Sequence, residues 1–164
     1  MSQKTAATKT QSPALKSLEL FVGKWTEDGQ AFDSPFGPSA KVTSIQTWEW
    51  LPGKMFLIHR LQGRLGENDT ACIEIIGSDT SSQSYSVNSF YNDGNQNVWQ
   101  LSERDGTWTL NGDWKSEGET TKVRCTILFN GDGNTMTGKW EYSKNSPSWQ
   151  VFWDTKLIRE RQGS

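Results

Sequence analysis

His59 is the single histidine of the chain, and it lies in an apolar stretch, Met55-Phe56-Leu57-Ile58-His59-Arg60, that puts Met55 and Leu57 on its own face if the backbone is extended. An imidazole there can transfer protons near neutral pH, provided a carboxylate orients it. Glu49 and Glu74, on the adjoining segments, are the candidates for that carboxylate. The alternative is a hydrogen-bonded or solvent-facing ring, because one residue without a constellation defines no reaction. Arg60 alternates with His59, so only one of the two points inward. An inward Arg60 would grip a carboxylate by two parallel hydrogen bonds; an outward one is surface charge. The nine tryptophans carry the other chemistry. Trp48, Trp50, Phe56, Trp99, Trp140 and Tyr142 offer flat apolar faces with an occasional N–H or O–H, suited to lining a pocket for a small molecule or to filling a core.

Other chemistries lack their residues. No Gly-x-Ser-x-Gly, Cys–His pair or Gly-x-Gly-x-x-Gly occurs. Asp105-Gly106 and Gly131-Asp132-Gly133 resemble fragments of calcium or phosphate loops, but the remaining ligands are missing and both read as turns. Cys72 and Cys125 have no partner at metal-ligand spacing, so no metal and no cofactor is expected, while a disulfide between them is left open. A net charge of −2 gives no field for nucleic acid or an anionic membrane. Residues 1–11 are rich in Lys, Thr and Ala without an apolar run and read as a disordered tail. No segment approaches membrane-spanning length, and the expectation is a cytoplasmic protein with reduced thiols. Oligomeric state is not readable.

These residues need a scaffold, and the turn chemistry supplies it. Leu51-Pro52-Gly53, Gly66-Glu67-Asn68-Asp69, Asn92-Asp93-Gly94-Asn95, Arg104-Asp105-Gly106, Ser116-Glu117-Gly118, Gly131-Asp132-Gly133 and Lys144-Asn145-Ser146-Pro147 are hairpin signals. Between them lie strand-length runs at Lys24–Ala31, Val42–Leu51, Lys54–Leu65, Thr70–Gly77, Ser84–Tyr91, Asn97–Glu103, Thr107–Lys115, Thr120–Phe129, Thr135–Ser143 and Trp149–Ile158. Ser12-Pro13 opens a short helix whose Leu15, Leu18, Phe21 and Val22 recur at helical spacing, and Gly23 stops it. The fold class is therefore all-β: residues 12–161 form one up-and-down antiparallel barrel of about ten strands after a short N-terminal helix. The rows Trp108/Leu110/Trp114, Val123/Cys125/Ile127/Phe129 and Trp149/Val151/Trp153 should face inward. Phe32 to Ala40, with two prolines and a glycine, cannot continue a strand. It reads as a mobile lid that a ligand would order, with Phe32 and Phe36 as lid anchors or as plugs. Ten strands make a barrel wide enough for a ligand unless the indoles fill it.

Phe21-Val22-Gly23-Lys24-Trp25-Thr26 resembles the Gly-x-Trp signature of the calycin superfamily, which includes lipocalins, fatty-acid-binding proteins and nitrobindin-like barrels. With Trp48-Glu49-Trp50-Leu51-Pro52-Gly53-Lys54-Met55-Phe56-Leu57-Ile58 it is most similar to an uncharacterised bacterial lipocalin-like family, over about residues 15 to 161. The resemblance implies that Trp25 closes one barrel end with Arg159 packed across it, both structural. It also implies a habit of binding small hydrophobic molecules. The histidine that holds haem in nitrobindin-like barrels has no counterpart in Trp149 to Arg159, which disfavours haem in that mode. Three functions stay open: binding a small hydrophobic or amphipathic molecule inside the barrel; an isomerase, cyclase or hydrolase using His59 with an acidic neighbour; or an interaction module with a filled barrel.

Overall fold

A computed structural model describes residues 13–79, 84–116, 118–144 and 147–161. The expected tail over 1–11 and the capping Ser12 lie outside the described residues, as do Glu117, Asn145 and Ser146 of two expected turns. Helix α1, Pro13–Ser17, runs into a 3₁₀ turn, Leu18–Phe21. Ten strands follow: β1 Gly23–Ala31, β2 Ala40–Trp50, β3 Phe56–Leu65, β4 Asn68–Asp79, β5 Ser84–Tyr91, β6 Gln96–Arg104, β7 Thr107–Ser116, β8 Glu119–Phe129, β9 Thr135–Ser143 and β10 Gln150–Arg159. Each pairs antiparallel with its sequence neighbour, and β1 pairs with β10, which closes the barrel. Closure joins the first and last strands, so neither is an edge strand. The strand start that moves furthest inward is that of β3, two residues, while β10 starts one residue late at Gln150. Lys54 adopts φ 53° in a turn whose amide bonds to Leu51 O at 2.8 Å, so pairing waits until Phe56.

One inward row differs from expectation. The β9–β10 register shifts between Val151 and Trp153, and this bulge turns Phe152 into the core while Val151 is 40% exposed. An extra residue resets the period-two phase, which is why Trp149/Val151/Trp153 does not share a face. Trp149 packs instead beneath Arg124, whose guanidinium carbon is 4.1 Å from its ring centroid.

The helix plugs one end of the barrel with Leu15, Leu18 and Phe21, all buried. Trp25, also fully buried, gives its indole N–H to Phe21 O at 2.9 Å. Arg159 lies 4.2 Å over the Trp25 ring and donates to the carbonyls of Val22, Leu20 (2.7 Å) and Gly133 (3.0 Å). Gly23 completes the arrangement. Its φ of 136° disfavours any side chain, and a Cβ there would stand 3.0 Å from the Arg159 guanidinium. The opposite end carries the Phe32–Ala40 segment, and these two ends are called the helix end and the lid end below.

Candidate functional site

Midway between the ends, a belt of buried polar side chains crosses six neighbouring strands, β10-β1-β2-β3-β4-β5. Thr155 and Ser44 donate to Glu27, as does Gln46 Nε2, at 2.9 Å. Gln46 Oε1 meets His59 Nε2 at 2.9 Å, His59 Nδ1 meets Glu74 Oε2 at 2.8 Å, and Ser89 donates to Glu74 Oε1 at 2.6 Å. The order of donors follows from Glu27. Its carboxylate accepts only, so the Gln46 amide nitrogen faces it, the amide oxygen faces His59, and His59 Nε2 must donate. His59 Nδ1 faces the Glu74 carboxylate, so both ring nitrogens are engaged. Burial alone would raise the Glu74 carboxyl, but the hydrogen bond and charge of His59, with the Ser89 hydroxyl, outweigh it and hold the carboxyl below its ordinary value.

His59 is thus fully engaged. Its ring also stacks on Trp48, with centroids 3.8 Å apart and planes 12° apart. No ring nitrogen is free for a substrate. Glu74 is the orienting carboxylate; Glu49 is not, because it pairs with Arg60 on the outer wall. Arg60 accordingly points outward and lines no interior pocket. Cys72, beside Glu74 on the inner face, has its thiol pushed up to about 12 by burial and then by the Glu74 charge, and Cys125 is likewise raised. Both are buried free thiols.

Toward the lid end the interior becomes aromatic. Trp99 and Trp140 lie 6.0 Å apart, Trp140 and Trp153 6.2 Å, and Trp99 and Trp114 6.4 Å. Phe36 inserts from the lid among Phe152 (4.6 Å), Tyr142 (5.7 Å) and Trp114 (6.2 Å), edge-on to the last two. The lid is therefore a seated plug, with Phe36 inside and Phe32 38% exposed outside. Within this end the N–H groups of Trp99 and Trp153 and the Asn97 amide nitrogen are buried without a hydrogen-bond partner, as is the Trp48 N–H nearer the belt. Trp99 leans toward the Tyr91 hydroxyl without completing a bond.

The wall is also unzipped here. The β6–β7 ladder runs from Arg104/Thr107 to Gln100/Asn111 and stops, so Gln96–Trp99 pair only with β5, and Gly112–Ser116 only with β8. Trp99 lies across the gap on Gly112, where a Cβ would come within 2.4 Å of its ring. A cleft of about 900 Å³ overlies the gap, lined by Asn88, Gln96, Asn97, Gln100 and Asn111 and by Trp99, Trp114 and Trp149. A smaller groove of about 500 Å³ crosses the outer wall beside Arg60, Ile73 and Phe90.

Of the residues expected from sequence to line a pocket, Trp99, Trp140, Tyr142 and Phe36 meet at the lid end, and Trp48 and His59 meet at the belt. Trp50 sits at the helix end, its N–H 2.6 Å from Glu19 Oε2, and Phe56 is 45% exposed on the outside. Glu27, Ser44, Gln46, Ser89 and Thr155 were not anticipated, nor were Trp114 and Phe152 as cage walls. The signal for Glu27 was present: an inward Trp25 fixes the phase of β1, and Glu27 is two residues on. Gln46 and Ser44 share the face of Trp48 by the same period.

A family model described as "Protein of unknown function (DUF1579)" matches residues 10–153. No curated protein matches the chain. Among solved structures, that of Rv2717c from M. tuberculosis superposes with a TM-score of 0.64 at 14% identity, covering 93% of this chain and 100% of that one. The S-type phycobiliprotein lyase CPES from Guillardia theta superposes with a TM-score of 0.58 at 11% identity, covering 90% and 93%. At these identities the likeness is one of fold.

Proposed function

The chain belongs to the DUF1579 family of unknown function, and we propose that it binds a small amphipathic molecule at the lid end, against the aromatic cluster and above the polar belt. One observation carries this reading: three buried donors without acceptors lie at the lid end, and two of them, the Asn97 amide and the Trp99 N–H, are on β6 where the wall is unzipped. An orphaned buried N–H costs roughly 1–3 kcal/mol, a cost that a ligand carbonyl or hydroxyl would remove. The fold likeness to a phycobiliprotein lyase supports a barrel of this shape serving a chromophore-like or other small ligand. The calycin-like Gly23-Lys24-Trp25 supports the same habit. No helix among the described residues is long and apolar enough to cross a membrane. A reducing cytoplasm would suit the two free thiols.

Catalysis by His59 is less favoured, since both ring nitrogens are engaged. The interaction-module reading has one observation behind it. Ile73 and Phe90 are opposite each other on the outer wall, 46% and 44% exposed, in an apolar strip with Val98 at 62%. Titrating intrinsic Trp fluorescence with a long-chain fatty acid, flat aromatic compounds and a tetrapyrrole separates the two. Saturable quenching by any class supports an interior ligand; flat responses throughout favour the module.

A further inference from the structure

The lid end poses a physical problem, because the space that a ligand would take is filled. Phe36 fills it in an unusual way. Its ring comes from a loop, where every other ring of the cage comes from a strand. The apex Ser34–Gly37 is tied together internally: Ser34 and Gly37 exchange backbone hydrogen bonds at 3.0 and 3.1 Å, and the Phe36 amide bonds to Ser34 Oγ at 3.2 Å. Among the described residues, no hydrogen bond joins this apex to a strand. The bonds that hold the segment to the barrel lie at its base, from Phe32 N to Phe152 O (2.8 Å) and from Ser39 Oγ to Ala31 O (3.0 Å). The apex is therefore held to the barrel by ring contacts alone, and another ring can compete for them.

We propose that the Phe36 ring stands in the place of an aromatic group of the ligand, so that Trp114, Tyr142 and Phe152 form a ligand subsite from which the lid apex withdraws. This rests on the ligand-binding reading above. Two edge-on contacts and one tilted contact are how aromatic walls hold a flat ring. The subsite takes an uncharged ring, since none of its three walls is a carboxylate or a cation and the Tyr142 hydroxyl is already committed to Gln150 Oε1 at 2.6 Å. Trp114 belongs both to this cage and to the cleft over the unzipped wall. A ligand with an aromatic head in the cage therefore has a path for a polar tail among Asn97, Gln100 and Asn111.

The test uses N-phenyl-1-naphthylamine, a neutral flat probe that fluoresces when buried. In the wild-type chain the probe should bind and speed amide exchange at Gly37, because the apex leaves as the cage fills. Phe36→Ala should bind it about tenfold more tightly, the gain expected if the cage is free in about one molecule in ten. Trp114→Leu should weaken binding to wild type by a similar, roughly tenfold, factor. Binding that leaves Gly37 exchange unchanged or slowed overturns the assignment. So does a Phe36→Ala affinity equal to wild type. If the probe, the fatty acid and the tetrapyrrole all fail to bind wild type and Phe36→Ala alike, the ligand-binding reading falls with it. Binding elsewhere with Phe36 still seated removes only the cage.

Discussion

The two ends of the barrel are both aromatic, yet they treat their polar groups in opposite ways. At the helix end Phe21 packs against Trp48, Trp108 and Phe129 at 4.9–5.0 Å, the Trp25 N–H has its carbonyl, and Arg159 satisfies three more. At the lid end two indole N–H groups and an amide lack acceptors, the wall between β6 and β7 is open, and the plug is a loop residue. A cluster satisfied but for one group, the Trp48 N–H, is what stability alone selects; several orphaned donors together persist where something else is served. The belt of Glu27, Gln46, His59 and Glu74 separates the two regimes.

The contrast predicts unequal costs. Trp25→Ala should be the most damaging change, about 4 kcal/mol in urea denaturation, because it empties a fully buried site and removes the ring beneath Arg159. A loss under about 1 kcal/mol would mean that the helix end is not the anchor. His59→Leu should follow at about 3 kcal/mol, since it leaves the Glu74 carboxylate buried without its partner. Phe36→Ala should cost only about 1 kcal/mol, well below a core phenylalanine, because its ring is half-buried and the apex that carries it has no hydrogen bond to a strand among the described residues. Equal losses for Phe36→Ala and Trp25→Ala would erase the distinction between the ends. The smallest effect is in pH dependence. Glu74 is held below its ordinary value of 4.5, so its ionised form stabilises the fold above that value, and the contribution is lost as pH falls through the depressed folded value. Stability measured from about pH 7 down to about pH 3 should therefore fall less steeply in Glu74→Gln than in wild type. Trp25→Ala should keep the wild-type slope.

Much of the scaffold was legible because turn chemistry is local. Asn92-Asp93-Gly94-Asn95 and Arg104-Asp105-Gly106 place their hairpins without reference to the rest of the chain, with Gly94 and Gly106 at φ 87° and 78°. Gly23, Trp25 and Arg159 were legible through resemblance. The bulge at Phe152 was not, because an inserted residue leaves no mark in composition and reverses the faces on either side. Two members of the belt were visible: Glu74 was a candidate partner for His59, and the register sets the two opposite each other. Glu27 escaped because a carboxylate in Thr26-Glu27-Asp28 looks solvent-facing, and only the closure of β1 onto β2 and β10 brings Ser44, Gln46 and Thr155 to it. For Phe36 the sequence leaves anchor and plug equally open, because the choice depends on where the lid lands.

The central claim is that the lid end, and not the helix end, receives the ligand. The nine tryptophans allow it to be read directly, since each indole N–H gives its own signal in a nitrogen–proton NMR spectrum. Assigned by single Trp→Phe variants and titrated with N-phenyl-1-naphthylamine, the signals of Trp99, Trp114, Trp140 and Trp153 should shift together while those of Trp25 and Trp108 stay in place. Shifts confined to Trp25 and Trp108, or spread equally over both ends, would contradict the account.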